Sequence, residues 1–246
     1  MKLAVFSHCA IDTITIDGTN YEQIGGAACY SGITARQFKF DVDLHTQFGP
    51  DFPKQYLNDD KINLVNSESQ KNTTKFTISI TGSDRTLKLE NECEEIDYSH
   101  SDADAHLVSP IYHEISDETF KNIKTDSNFL FVDPQGFLRR KDPQNNIFLE
   151  KTDLDLTNVD AIKVNPEESN QIVNGTNDEM MLALQKKGIQ HVLLTDKANV
   201  SLLVKDKIYS IMLPNQNIHD TTGIGDIFCT AFTCTMLKEK DFLWAL

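Results

Sequence analysis

Short apolar runs recur along the chain at residues 2–7, 43–48, 75–80, 105–108, 128–132, 161–164, 191–195 and 201–204. FLFV at residues 129–132 and HVLLT at 191–195 are almost uninterrupted, as in strands covered on both faces. Helical spacings lie between these runs. Residues 26–38 place Ala28, Ile33 and Ala35 among other small residues. Residues 117–123 follow Ser116, an N-cap residue, and carry Glu118 in the first turn. Residues 177–187 carry Met180, Met181, Leu182 and Leu184, and Gly188 closes them as a helix C-terminal glycine does. Residues 224–238 form the last long helix. Strands alternating with helices predict an α/β fold around a largely parallel sheet.

One region departs from this alternation. Residues 13–16 and 73–89 are rich in Thr, Ile and Phe and alternate polar with apolar, as in TKFTISI and RTLKL. The spacing predicts an antiparallel flap with one wet face, built from residues of about 12–17 and 73–90. Such a flap would pack over a site on the main sheet as a small β lid and exclude water from it. No internal repeat or low-complexity linker divides the chain, so residues 1–246 read as a single domain.

Composition narrows the classes. At 246 residues the chain is long enough to bury a core without disulfide or metal staples. Lys and Arg number 23 against 37 Asp and Glu, a formal net charge of −14 with no basic stripe, which argues against nucleic-acid partners. No run approaches the ~18 apolar residues of a membrane helix, so no membrane association is expected. The start, MKLAVFSHCAIDT, turns acidic before a cleavable apolar segment develops. Without a secretory signal, the Asn72 and Asn174 sequons are surface polar triplets. Cys9, Cys29, Cys93, Cys229 and Cys234 form an odd, scattered set without Cys-x-x-Cys. They read as reduced thiols of a cytoplasmic protein, with Cys229 and Cys234 as small core hydrophobes.

The sharpest local feature is Asp220-Thr221-Thr222-Gly223-Ile224-Gly225-Asp226-Ile227-Phe228, where a strand-like stretch at 208–213 lies upstream and a helix follows. Alternate glycines let the backbone approach a ligand with its N–H groups turned outward, and the helix start adds a positive end. Three readings compete. The first is a plain helix start with Asp226 as a dipole partner. The second is a dinucleotide fingerprint, which needs a third glycine where Phe228 stands and a place near the first strand, and has neither. The third is a phosphoryl-transfer site, in which Asp226 accepts a proton from a nucleophilic hydroxyl. No Walker lysine motif or protein-kinase motif set occurs in the chain.

The same nine residues resemble the D-T-x-G-A-G-D-x-F signature of the PfkB/ribokinase family of carbohydrate and nucleoside kinases, with Ile224 in place of Ala. Further elements of the resemblance follow in order: Asp12, the pair Gly25-Gly26, Gly49-Pro50-Asp51-Phe52, and Asn165-Pro166-Glu167-Glu168 as N-x-x-E. Tyr30, and VDPQGFLR at residues 132–139, are similar to the inositol-kinase-like branch. The resemblance implies a ribokinase-like three-layer sandwich with a mostly parallel central sheet and a small β lid. It implies Asp226 as catalytic base and an anion hole from the N–H groups of Gly223, Ile224 and Gly225. It implies acceptor binding by Asp12, Gly25, Gly26, Tyr30 and Arg139, nucleotide contacts at Thr195 and Thr221, and Mg²⁺ held by Asn165 and Glu168 through waters.

Read alone, Asp12 is a turn residue, Asn165 a helix cap before Pro166, and Arg139 equally a surface ion-pair partner. Asp133, Gln135 and Arg139 follow a buried strand at the sheet end where α/β proteins place ligands. The acidic loop near His100 and His106, and His113 beyond it, read as a solvated surface without ligand spacing. The family's Thr-x-Gly-x-x-Gly turn corresponds to residues 195–200, where both glycines are gone. Family members continue past the anion-hole helix, so the expectation is that the C-terminal helices walling an adenine pocket are missing after Leu246. The functional expectation is ATP- and Mg²⁺-dependent phosphorylation of a hydroxyl on a small carbohydrate or polyol, with a cyclitol such as inositol favoured. A nucleoside kinase, with Phe76 as its base-stacking residue, and a truncated ligand-binding remnant are the alternatives. A homodimer through the lid is a further expectation, because an exposed flap has edges to pair.

Overall fold

The computed structural model describes residues 1–16, 18–81, 84–214 and 221–246. Asp17 and residues 82–83 of the expected flap, and Asp220 of the signature, lie outside the described residues.

The chain opens with β1 (Lys2–Phe6), then a hairpin of β2 (Ala10–Ile16) and β3 (Thr19–Gly25), then α1 (Ala27–Gln37) and β4 (Asp41–His45). Next come β5 (Ile62–Val65), a second hairpin of β6 (Lys75–Thr81) and β7 (Asp84–Asn91), β8 (Ala105–Val108), α2 (Asp117–Asp126) and β9 (Leu130–Val132). A short α3 (Gln135–Leu138) leads into β10 (Arg139–Lys141) and β11 (Ile147–Leu149). Then follow β12 (Ala161–Val164), α4 (Pro166–Ile172), α5 (Asn177–Lys186), β13 (His191–Asp196), β14 (Asn199–Val204) and β15 (Lys207–Met212). The described chain closes with α6 (Ile224–Glu239) and α7 (Phe242–Ala245).

The main sheet runs β15-β14-β13-β12-β9-β8-β1-β4-β5. From β13 to β5 every pair is parallel, and β14 and β15 add antiparallel strands at one edge. The alternation is therefore α/β, as the runs predict. One face packs on α2, α4 and α5 through Phe120, Ile123, Ile172, Met181 and Leu184. The other packs on α1 and α6 through Ala28, Ala35, Cys229 and Phe232. These two cores make three layers. The five cysteines are buried and free.

A second, four-stranded sheet has the order β3-β2-β6-β7. Each hairpin is antiparallel, but the hairpins join through a parallel pair, with Ile14 beside Ile78. The flap is thus mixed rather than antiparallel, because its two halves come from distant stretches that enter in the same direction. It also takes in β3, whose polar residues hide the strand period. Ile14, Phe76, Ile78 and Leu89 form its own core against Ile111 and Tyr112. The buried Glu114 carboxylate fastens the join to the main sheet by accepting from the backbone N–H groups of His8 (3.0 Å), Ile111 (2.7 Å) and Tyr112 (2.7 Å). Among the described residues no helix is long and apolar enough to cross a membrane.

Candidate active site

The carboxyl ends of parallel strands β8, β9, β12 and β13 converge on one cleft, the position where open α/β sheets place ligands. The cleft, of about 520 Å³, lies between these strand ends, the small sheet and the start of α6. Asp12, Gly26, Tyr30, Arg139, Asn165, Glu168, Thr195, Thr221, Gly223, Ile224, Gly225 and Asp226 all line it. Gly25 does not line the cleft. It stands beside it, where a Cβ would meet Asp12 Oδ2 at 2.8 Å and the Tyr30 hydroxyl at 3.3 Å.

The signature begins α6 abruptly. Gly223 caps the helix in the left-handed region, at φ +78°, where other residues are strained. A Cβ there would also lie 2.6 Å from the Tyr30 ring, so Tyr30 on α1 lies directly against the turn. The Tyr30 hydroxyl in turn accepts from Gln23 Nε2 of the small sheet at 2.8 Å, so one side chain ties lid, α1 and turn together. The Ile224 N–H donates to Thr221 O at 3.3 Å. The N–H groups of Gly225 and Asp226 have no acceptor among the described residues, as expected for the first turn of a helix.

Asp226 is buried, and one oxygen accepts from Ser109 Oγ at 3.0 Å. Burial and the Asp133 carboxylate push its pKa up to about 7, against the pull of Lys163, the Ser109 hydrogen bond and Arg139. Asp12 sits on β2 and accepts from the Phe76 N–H at 3.4 Å. Burial raises it to about 6, although Arg139, Arg85 and Lys75 oppose the shift. The cleft therefore offers two carboxyl groups that titrate near neutrality, the range a general base needs.

Arg139 makes no ion pair among the described residues. Its guanidinium donates to Ile111 O (2.8 Å) and Gln135 Oε1 (2.7 Å) and lies over the Phe76 ring, 5.8 Å from its centroid. Asn165 and Glu168 make a reciprocal capping box at the start of α4, with bonds of 2.8 and 2.9 Å, so the cap reading of Asn165 holds. Glu168 also lines the cleft, and only its Oε2 is engaged by described residues. On the opposite wall, the β13–β14 turn is glycine-free and puts Lys197 at φ +54° beside the cleft.

Ser109 and Lys163 escape a motif search. Ser109 directly follows β8 with no feature but the Pro after it. Lys163 reads as a polar break in a buried strand. Asp133 is placed at the sheet end by the pattern alone, but its contact with Lys163 is not. Of the histidines, His100 pairs with Asp126 at 2.9 Å, His106 is buried against Phe6, and His113 holds Arg139 O and Arg140. Among the described residues no cluster of three or more His, Cys, Asp or Glu is arranged to hold a metal ion on its own.

Comparison with known proteins bears on this geometry. A pyrophosphate-dependent kinase of the ribokinase family, solved as a sulfate complex, superposes with a TM-score of 0.89 at 19% identity, covering 100% of this chain and 91% of that one. A converted pyrophosphate-dependent myo-inositol-1 kinase gives 0.86 at 20% identity, covering 100% and 88%. The nucleoside kinase of Methanocaldococcus jannaschii gives 0.72 at 16%, covering 99% and 87%. At these identities the likeness establishes the ribokinase-like fold. No curated protein matches. The pfkB family carbohydrate kinase profile, however, matches residues 3–246. That match spans the small sheet, the cleft and the α6 signature together, and the chain belongs to the pfkB family of carbohydrate kinases.

Proposed function

We propose that this chain transfers the terminal phosphoryl group of ATP, with Mg²⁺, to a hydroxyl of a small carbohydrate or polyol, and that a cyclitol such as inositol is the favoured acceptor. The observation that carries the reading is Asp226, a buried carboxyl lining the cleft in the first turn of α6 with its pKa near 7. In this role Asp226 takes the acceptor's hydroxyl proton as that oxygen attacks the terminal phosphorus. The bond from phosphorus to the bridging oxygen breaks, and the remaining phosphate leaves with the electron pair. Amides of the Gly223–Gly225 turn face the charge that develops, Gly225 with its N–H uncommitted. Asp12 accepts from acceptor hydroxyls, Gly25 and Gly26 let the ring approach, and Tyr30 and Arg139 form the walls.

Glu168 suits an outer-sphere Mg²⁺, since one carboxylate oxygen is unengaged among described residues, while Asn165 Oδ1 is spent on the helix cap. Bound there, the ion supplies neutralising charge for the donor's phosphate oxygens. Thr195 and Thr221 sit on the donor side. Five reduced, buried thiols suit a cytoplasmic setting. The reading includes a homodimer through the outer lid strand β3, where Tyr21 is exposed; sedimentation tests it, and a monomer at micromolar concentration removes it.

A second donor, inorganic pyrophosphate, is favoured by the glycine-free β13–β14 turn with Lys197 beside the cleft, and by neighbours described as pyrophosphate-dependent. A nucleoside acceptor is disfavoured because the Arg139 guanidinium occupies a face of Phe76. One experiment addresses all of these: phosphoryl transfer to polyols, sugars and nucleosides from ATP and from pyrophosphate, with Asp226→Asn as control. Transfer to a polyol that the substitution abolishes supports the reading. No transfer from either donor, or equal rates in the variant, ends it and leaves a ligand-binding remnant.

A further inference from the structure

Lys163 is a buried cation that the roles above leave unused. It sits on β12, only 7% exposed, and its Nζ donates to Asp133 Oδ2 at 2.9 Å. The other carboxylate nearby, Glu168 Oε2, is 3.8 Å away, beyond hydrogen-bond reach. An ammonium carries three donors, so two of its N–H groups find no hydrogen-bond acceptor among the described residues. Buried donors are rarely left so, and a cation still less. Lys163 lines the cleft, and its Nζ lies only 3.2 Å from where a Cβ of Gly225 would be. The ammonium therefore stands beside the amide turn that opens α6, on the cleft that both line. Asp133, Glu168 and Asp226 line the cleft with it, while the other cations of the lining, Arg85, Arg139 and Lys197, belong to the small sheet, β10 and the β13–β14 turn.

We propose that Lys163, aimed by its hydrogen bond to Asp133, is a binding residue for the donor's terminal phosphoryl group, and that its two unused N–H groups complete the anion site begun by the α6 amides. The inference rests on the proposed phosphoryl transfer. The chemistry it assigns, a terminal phosphate on a phosphoanhydride, is shared by ATP and inorganic pyrophosphate. The competing explanation is a purely structural buried ion pair. The two differ in what happens when both charges are removed. A structural pair replaced by two neutral side chains of similar size costs little, because no orphan charge remains. A phosphate-binding lysine cannot be restored that way.

The test is calorimetric titration of the full chain with inorganic pyrophosphate and, separately, with ATP, both without metal. The proteins are wild type, Lys163→Met and the double variant Asp133→Asn/Lys163→Met, with thermal unfolding to verify that each is folded. Loss of a charge-assisted contact predicts affinity about 10–100-fold weaker in both variants for at least one donor, and the donor affected identifies the source of the phosphate. Affinity in the double variant within about twofold of wild type for both donors makes Lys163 only the structural partner of Asp133 and overturns the inference. Absence of binding by wild type to either donor overturns it as well. The transfer assay is read separately: wild type that binds a donor through Lys163 but phosphorylates nothing refutes the transfer reading and leaves the anion site standing.

Discussion

Lowering the pH from 8 to 6 should cut kcat/KM of the free enzyme about 20-fold, far above the midpoint of an ordinary aspartate. In the proposed role Asp226 is ionised to accept the hydroxyl proton, and burial with the Asp133 carboxylate lifts its pKa to about 7. Its ionised fraction then falls from about 0.9 to about 0.09, a tenfold loss. Asp12, raised by burial to about 6, is half protonated at the lower pH, and if it accepts from the sugar this costs about twofold more. A carboxyl group near the usual 3.8 would lose under about 1% over the same range. The assay is initial rate at subsaturating acceptor in constant-ionic-strength buffers, with log kcat/KM plotted against pH. Its slope should be one just below pH 7 and approach two below pH 6. Asp133→Asn removes the like charge that raises Asp226, so its acid limb should move to lower pH. A wild-type profile flat down to pH 5 would refute both the base assignment and the burial argument behind it.

Three further outcomes follow from named contacts. Asp226→Asn should lower kcat by about 10²–10⁴ while raising the melting temperature at pH 8, since it removes a charge that burial disfavours; a matching loss of stability would point to a structural role. Gly223→Ala should destabilise by about 2–5 kcal/mol, combining left-handed backbone strain with collision against Tyr30, and urea titration measures it. His45 is buried against Phe6, with both ring nitrogens lacking a hydrogen-bond partner among the described residues, and burial lowers its pKa to about 4. The unfolded chain protonates His45 below about pH 6.5 and the native state does not, so this stability is present above pH 6.5 and lost as pH falls toward 4. Between pH 7.5 and 4.5 the difference in unfolding free energy between His45→Phe and wild type should grow by about 2.5 kcal/mol in favour of the variant; a constant difference would contradict the lowered pKa.

What could be read from the chain, and what could not, divides along sequence distance. The strands at Ala105–Val108 and Ala161–Val164 carry their evidence in short apolar runs broken once each, by His106 and by Lys163, and the α2, α4 and α5 starts carry it in caps spaced three residues from their partners. The α6 turn is equally local, which is why the motif and the left-handed Gly223 agree. β3 fails this test, because Thr19–Gly25 is polar on both faces and is a strand only by pairing with β2. The parallel join of the two hairpins fails for the same reason, since 64 residues separate Ile14 from its partner Ile78 and no periodicity records which way two hairpins meet. Lys163 is the instructive case. In AIKV its charge interrupts a buried strand and looks like an error of burial. It becomes sensible only when β12 pairs with β9, bringing Asp133, 30 residues away, to within 2.9 Å, and when α6 lays Gly225 across both. A polar residue that breaks a local pattern at the carboxyl end of a parallel strand is then informative in itself: it marks where the strand meets the cleft.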